Sequence, residues 1–188
     1  MKGSNFENIV KPILVLTIIC LIVSSLLAVT NGVTAPIIEE NDRRTTQMAY
    51  LAVLPEGATA EDLEELPVAL AEGEKVGAVS GVKTSDGAYA IKATSTGFDG
   101  GVITTILGFD VDGNICGIWA DCSTQTAGMG SKCGLPEFTD QFKGLGSDKE
   151  LVLNTDVQQV GGSTVSSTAF VKAVNSAIAC YNDVKEAA

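Results

Sequence analysis

Gly161 and Gly162 are followed by Ser163, Thr164, Val165, Ser166, Ser167 and Thr168, and then by a helical-looking run over residues 169–184. Glycines let a backbone approach a ligand closely, and hydroxyls supply short hydrogen bonds. A helix start adds N–H groups without internal acceptors at the positive end of its dipole. Together these are the parts of a phosphate seat. The same residue types also make an ordinary Ser/Thr helix cap after a glycine turn. From Glu39 onward, 22 acidic side chains stand against 10 basic ones, a net charge of −12. A phosphate is therefore repelled at long range, and local backbone amides must hold it.

A second polar loop, Cys122-Ser123-Thr124-Gln125-Thr126-Ala127-Gly128-Met129-Gly130, is too hydrophilic for a core and has no Lys or Arg. It suits either an aromatic ligand held by backbone hydrogen bonds or an irregular connection. The chain has no histidine, which removes Ser-His and Cys-His nucleophile pairs, and no acid–base catalytic residue is expected. Cys116, Cys122, Cys133 and Cys180 have neither C-x-x-C nor zinc spacing, so no metal is expected, and a Cys122–Cys133 disulfide and four free thiols both remain open. The acidity excludes nucleic acid as a partner, because phosphodiester binding depends on Lys and Arg.

Residues 12–38 contain no charged side chain, and the densely apolar part, 12–29, covers roughly 27 Å as a helix, close to a bilayer's hydrocarbon thickness. A retained single-pass anchor fits better than a cleaved signal peptide, whose apolar stretch is shorter and ends in a small-residue cleavage site. Lys2 and Lys11 on the short side, facing Glu39, Glu40 and Asp42 on the other, place the N-terminus inside and the domain outside. Residues 39–54 continue as a helix or stalk with Met48, Leu51, Ala52 and either Val53 or Leu54 on one face, and 59–65 read as a short acidic helix ahead of Pro67.

Strands follow over 88–95, 102–110 and 115–120, the last two forming a hairpin whose Asp112-Gly113 pair supplies positive φ. Residues 135–146 hold a short helix with Phe138, Phe142 and Lys143. Residues 151–160 read as a strand feeding the glycine turn. Phe170, Val174, Ala177, Ile178 and Tyr181 form an apolar stripe that must pack on the sheet. The expected fold is α+β, an antiparallel sheet packed by helices behind an N-terminal transmembrane helix, divided into 1–38, 39–80 and 81–188.

On these motifs the chain resembles the membrane-anchored FMN-binding subunits of bacterial respiratory ion pumps. It is most similar to the G subunits of Rnf-type ferredoxin:NAD⁺ oxidoreductases, with the longer C subunits of sodium-translocating NADH:quinone reductases as relatives. Gly161-Gly162-Ser163-Thr164 stands where that family has Ser/Thr-Gly-Ala-Thr. Gln125-Thr126-Ala127-Gly128-Met129-Gly130 resembles its Glu-Thr-Pro-Gly-Leu-Gly loop, and Phe138-Thr139-Asp140-Gln141-Phe142-Lys143-Gly144 keeps its Phe-x-x-Gln-Phe-Lys-Gly pattern. The resemblance implies an extracytoplasmic FMN domain at the inner cell membrane that relays electrons, with FMN esterified through its phosphate to Thr164. Its contacts would come from Gly162, Ser163, Val165, Ser166, Gln125, Thr126, Gly128, Met129 and Gly130, with Lys143 offsetting the acidic surroundings. Partners would be the membrane and iron–sulfur subunits of a complex. Gln158 and Ser163 depart from the motif read by the flavin-transferring enzyme, which leaves Ser163 and Ser166 as alternative acceptors. The rival readings are a quinone-reductase subunit and a non-redox anchored scaffold or sensor.

Overall fold

A computed structural model describes residues 3–55, 57–68 and 74–187, with side chains from residue 10 onward. The chain divides into one unit ending at Thr45 and a second running from Thr46. Helix α1 (Gly3–Val53) makes up the described part of the first unit and opens the second. Its segment from Val10 is long and apolar enough to cross a membrane, with a mean hydropathy of 2.8 in its most apolar window and none of that window buried. Arg43 and Arg44 both pair with Glu40 one turn back, so the two guanidinium groups share one carboxylate and the flank stays net acidic.

The second unit is a five-stranded antiparallel meander in sequential order: β1 (Glu64–Leu66), β2 (Gly77–Lys83), β3 (Tyr89–Thr96), β4 (Val102–Phe109) and β5 (Ile115–Asp121). In β4, Ile103, Leu107 and Phe109 face the long helix α3 (Thr164–Ala187), which follows the short helix α2 (Pro136–Thr139). Ile106 faces the last turns of α1 together with Ala90, Tyr50 and Val53. Burial on both faces explains why apolar side chains stand on both sides of this strand. The stripe on α3 packs as expected, with Phe170, Val174 and Ala177 fully buried and Tyr181 stacked on Phe109 at 4.4 Å.

Several expectations are corrected. The face that α1 buries is Ala49, Tyr50 and Val53, whereas Met48 is exposed, because the helix lies on β4 and β5 where glycines admit its backbone. Residues 59–65 form a single 3-10 turn and then β1, since the acidic run has no apolar face to bury. Residues 151–160 are not a strand. Asp156 accepts from Val152 N–H at 2.8 Å and from Lys149 at 2.6 Å, closing a turn through Asn154 at φ +64°. Helix α3 starts at Thr164, five residues before the run at 169, so the hydroxyl cluster lies inside its first turns.

The β4–β5 hairpin is present with Phe109 opposite Ile115, but only Gly113 has positive φ, at +92°. Gly113 N–H donates to Asp110 C=O and Asp110 N–H to Asn114 C=O, a three-residue loop instead of a two-residue one. The Asp110 carboxylate accepts from Asp112 N–H and Asn114 N–H at 3.0 and 2.8 Å. Burial alone would raise its pKa, but these hydrogen bonds outweigh it and hold the carboxyl below its ordinary value. A depressed folded pKa adds stability that is present above the unfolded carboxyl value and lost as pH falls through the folded one. Asp110→Ala should cost about 1 kcal/mol near neutral pH after solvent screening. Denaturant titrations of both proteins should show the difference shrinking on acidification.

Candidate functional site

The start of α3 is held from three sides. Phe138 and Phe142 pack edge-on and tilted against Phe170 in the second turn of α3, at 5.1 and 5.4 Å. Gln141 clamps the incoming chain, accepting from Gln158 N–H at 2.7 Å and donating to Gln158 C=O at 3.3 Å. Ser167 Oγ accepts from Val160 N–H at 3.1 Å, while Ser163 N–H donates to Val160 C=O at 3.0 Å. The turn between them needs Gly162 at φ +77°, a conformation that side chains disfavour.

Ser163 occupies the N-cap position, since Ser167 N–H bonds to its carbonyl at 2.9 Å. Its hydroxyl is buried and has no hydrogen-bond partner among the described residues, so it does not cap the helix. The N–H groups of Thr164, Val165 and Ser166 have no acceptor inside the helix either. Thr164 is exposed beside them, and its hydroxyl makes no hydrogen bond among the described residues. A helix start that is capped only for itself would have used Ser163 for that purpose.

These groups open into a cleft of about 380 Å³ lined by Phe98, Thr126, Met129, Gly130, Gly162, Ser163, Thr164, Val165 and Ser166. None of them is charged, so an anion here is met by backbone N–H and hydroxyl groups, with apolar Phe98, Met129 and Val165 as the rest of the wall. Gln125 is buried behind the lining. Its Oε1 accepts from Phe98 N–H at 3.0 Å and from Ser166 Oγ at 2.9 Å, and its Nε2 donates to Gly101 C=O at 2.9 Å. A Cβ on Gly97 or Gly130 would overlap this pair of side chains.

Of the residues singled out in the sequence, Thr126, Met129, Gly130, Gly162, Ser163, Thr164, Val165 and Ser166 converge on one cleft. Gly128 lies outside the lining, at φ +76° with its N–H on Ser131 Oγ. Lys143 also lies outside it, paired with Asp140 at 2.7 Å, and so brings no unpaired charge to the cleft. Phe98 was missed by sequence reasoning. An exposed aromatic between Gly97 and Gly100-Gly101 was the available signal. All five cysteines are thiols. Burial pushes Cys122 up to about 12 and raises Cys116, Cys133 and Cys180, which keeps these four protonated at neutral pH.

Comparison with known proteins bears on this cleft directly. A model of the FMN-binding domain matches residues 97–179, which contain every lining residue. The G subunit of the Na⁺-translocating ferredoxin:NAD⁺ oxidoreductase complex of Acetobacterium woodii is 31% identical, over 97% of this chain and 96% of the relative. The chain belongs to this G-subunit family. The G subunits of ion-translocating oxidoreductase complexes from Methanosarcina acetivorans and Shewanella baltica are 28% and 25% identical, each over 93% of this chain and over 95% and 90% of their own lengths. Membership covers α1 as well as the sheet, and the chain is a membrane-anchored protein with an FMN-binding domain.

Proposed function

We propose that this chain is the flavin-carrying electron-transfer subunit of an ion-translocating ferredoxin:NAD⁺ oxidoreductase complex, with FMN joined through its phosphate to Thr164 Oγ. The observation that carries the reading is the exposed Thr164 hydroxyl, without a hydrogen bond among the described residues, at a helix start beside the buried and unpartnered Ser163 hydroxyl. When bound, FMN supplies reversible one- and two-electron chemistry. The chain's own residues bind and shield: the first turn of α3 holds the phosphate, Phe98 and Met129 give an apolar wall to the ring, and no side chain of the lining exchanges protons. Helix α1 keeps the domain beside its membrane and iron–sulfur partner subunits. The cationic N-terminal flank and acidic outer flank support an N-terminus inside and a domain outside.

The test is the tryptic fragment spanning residues 150–172, taken from protein purified out of native membranes. It should be heavier than its amino acids by FMN less one water. A bare fragment overturns the ester, and an intact complex without flavin on this chain overturns the electron-carrier role.

A further inference from the structure

Resting on that reading, we infer that Ser163 and Ser166, which line the same cleft wall, face the flavin with opposite hydrogen-bonding polarity. Ser163 donates to the phosphate, and Ser166 accepts from a hydroxyl of the ribityl chain.

Gln125 dictates where the protons around it lie. Its amide orientation is set by two backbone groups that have no choice of role: Phe98 N–H can only donate to Oε1, and Gly101 C=O can only accept from Nε2. Oε1 is thereby an acceptor, so Ser166 Oγ, 2.9 Å away, must donate to it. A serine hydroxyl has one proton and two lone pairs. With its proton committed to Gln125, Ser166 has only lone pairs to turn toward the cleft it lines. Lone pairs repel a phosphate oxygen and welcome an O–H donor, which the ribityl hydroxyls supply.

Ser163 is the reverse case. Ser163 is a lining residue of the same cleft, and its buried hydroxyl has no partner among the described residues, so its proton is free to donate. A buried unpaired hydroxyl costs stability unless a ligand satisfies it, and a phosphate oxygen at the open helix start is the acceptor within reach of that chemistry. Gln125 also holds Phe98 N–H through the second lone pair of Oε1, so one amide positions both the ribityl acceptor and the aromatic wall.

Three flavins separate the roles: FMN, riboflavin without the phosphate, and lumiflavin without phosphate or ribityl chain. The full-length chain, produced in detergent without a flavin-transferring enzyme, is titrated with each by fluorescence quenching. Ser163→Ala should weaken FMN about tenfold and leave riboflavin and lumiflavin unchanged. Ser166→Ala should weaken FMN and riboflavin alike, by roughly threefold to tenfold, and leave lumiflavin unchanged. The wild type needs no folding control and should bind riboflavin more tightly than lumiflavin. Equal loss of lumiflavin in Ser166→Ala, or loss of FMN alone, overturns the assigned polarity while the flavin site stands. So does a wild type indifferent to the ribityl chain. A wild type that binds no free flavin overturns this inference alone, since the proposed function is decided separately by the mass of fragment 150–172 from native membranes.

Discussion

Thr164→Ala is expected to abolish the denaturation-resistant flavin fluorescence of this chain in a gel and to return the fragment 150–172 to its bare mass. Three hydroxyls compete for the ester, and their surroundings rank them. Ser166 Oγ is buried with its proton given to Gln125, whose amide oxygen cannot take up the proton that ester formation must release. Ser163 Oγ is buried as well, which restricts the approach of an enzyme that delivers the flavin. Thr164 alone of the three is exposed at the cleft, with a hydroxyl that bonds to nothing among the described residues. Thr164→Ser should therefore keep the fluorescence, and Ser163→Ala should keep it too while weakening reversible binding. The alanine variant should fold normally. Alanine is the best helix former, and an exposed first-turn position costs within about 0.5 kcal/mol. Persistent fluorescence in Thr164→Ala would move the linkage to one of the serines.

What could be read from the chain alone depended on how strongly each segment's own pattern resisted its surroundings. The β4–β5 hairpin and the α3 stripe were legible because their apolar spacing matches one periodicity and their burial is nearly complete. Strand β2, Gly77–Lys83, was not seen, since Gly-Ala-Val-Ser-Gly-Val-Lys carries little apolar contrast and forms only by pairing with its neighbours. The glycine–hydroxyl segment announced a helix start but not where it lay. Short polar residues disfavour helix interiors, yet here Ser166 and Ser167 are held inside by Gln125 and by Val160. The role of Gln125 was out of reach for a different reason. Its partners lie 27, 24 and 41 residues away, and only the fold brings them together. The same holds for Gln141, whose clamp on Gln158 spans 17 residues.

Gly108→Ala is expected to cost about 3 kcal/mol or more, since a Cβ there meets the tightest obstruction among the described glycines. A Cβ at Gly108 would overlap the Val53 carbonyl oxygen, and one at Gly117 on the neighbouring strand would lie 2.6 Å from it. The two residues are paired across β4 and β5, so together they make a notch in the sheet surface into which the end of α1 settles. Cys116 donates its thiol to the same carbonyl at 3.2 Å, and Tyr50 one turn back bonds Ser80 at 2.8 Å. Because the obstruction is backbone, no rotamer change relieves it, and the last turns of α1 must lift from Ile106, Ala90 and Val82. Gly134→Ala is the matched control, since its Cβ would meet nothing closer than 3.5 Å. Trp119, the single tryptophan, packs against this cluster and reports on it directly. In Gly108→Ala its emission should shift to the red, and the urea midpoint should fall relative to both wild type and Gly134→Ala. No residue lining the flavin cleft belongs to the cluster around Val53, so flavin attachment at Thr164 should survive the substitution. Loss of stability together with loss of flavin would mean that the two faces of the sheet are coupled, and that seating of the helix end is a condition for building the cleft.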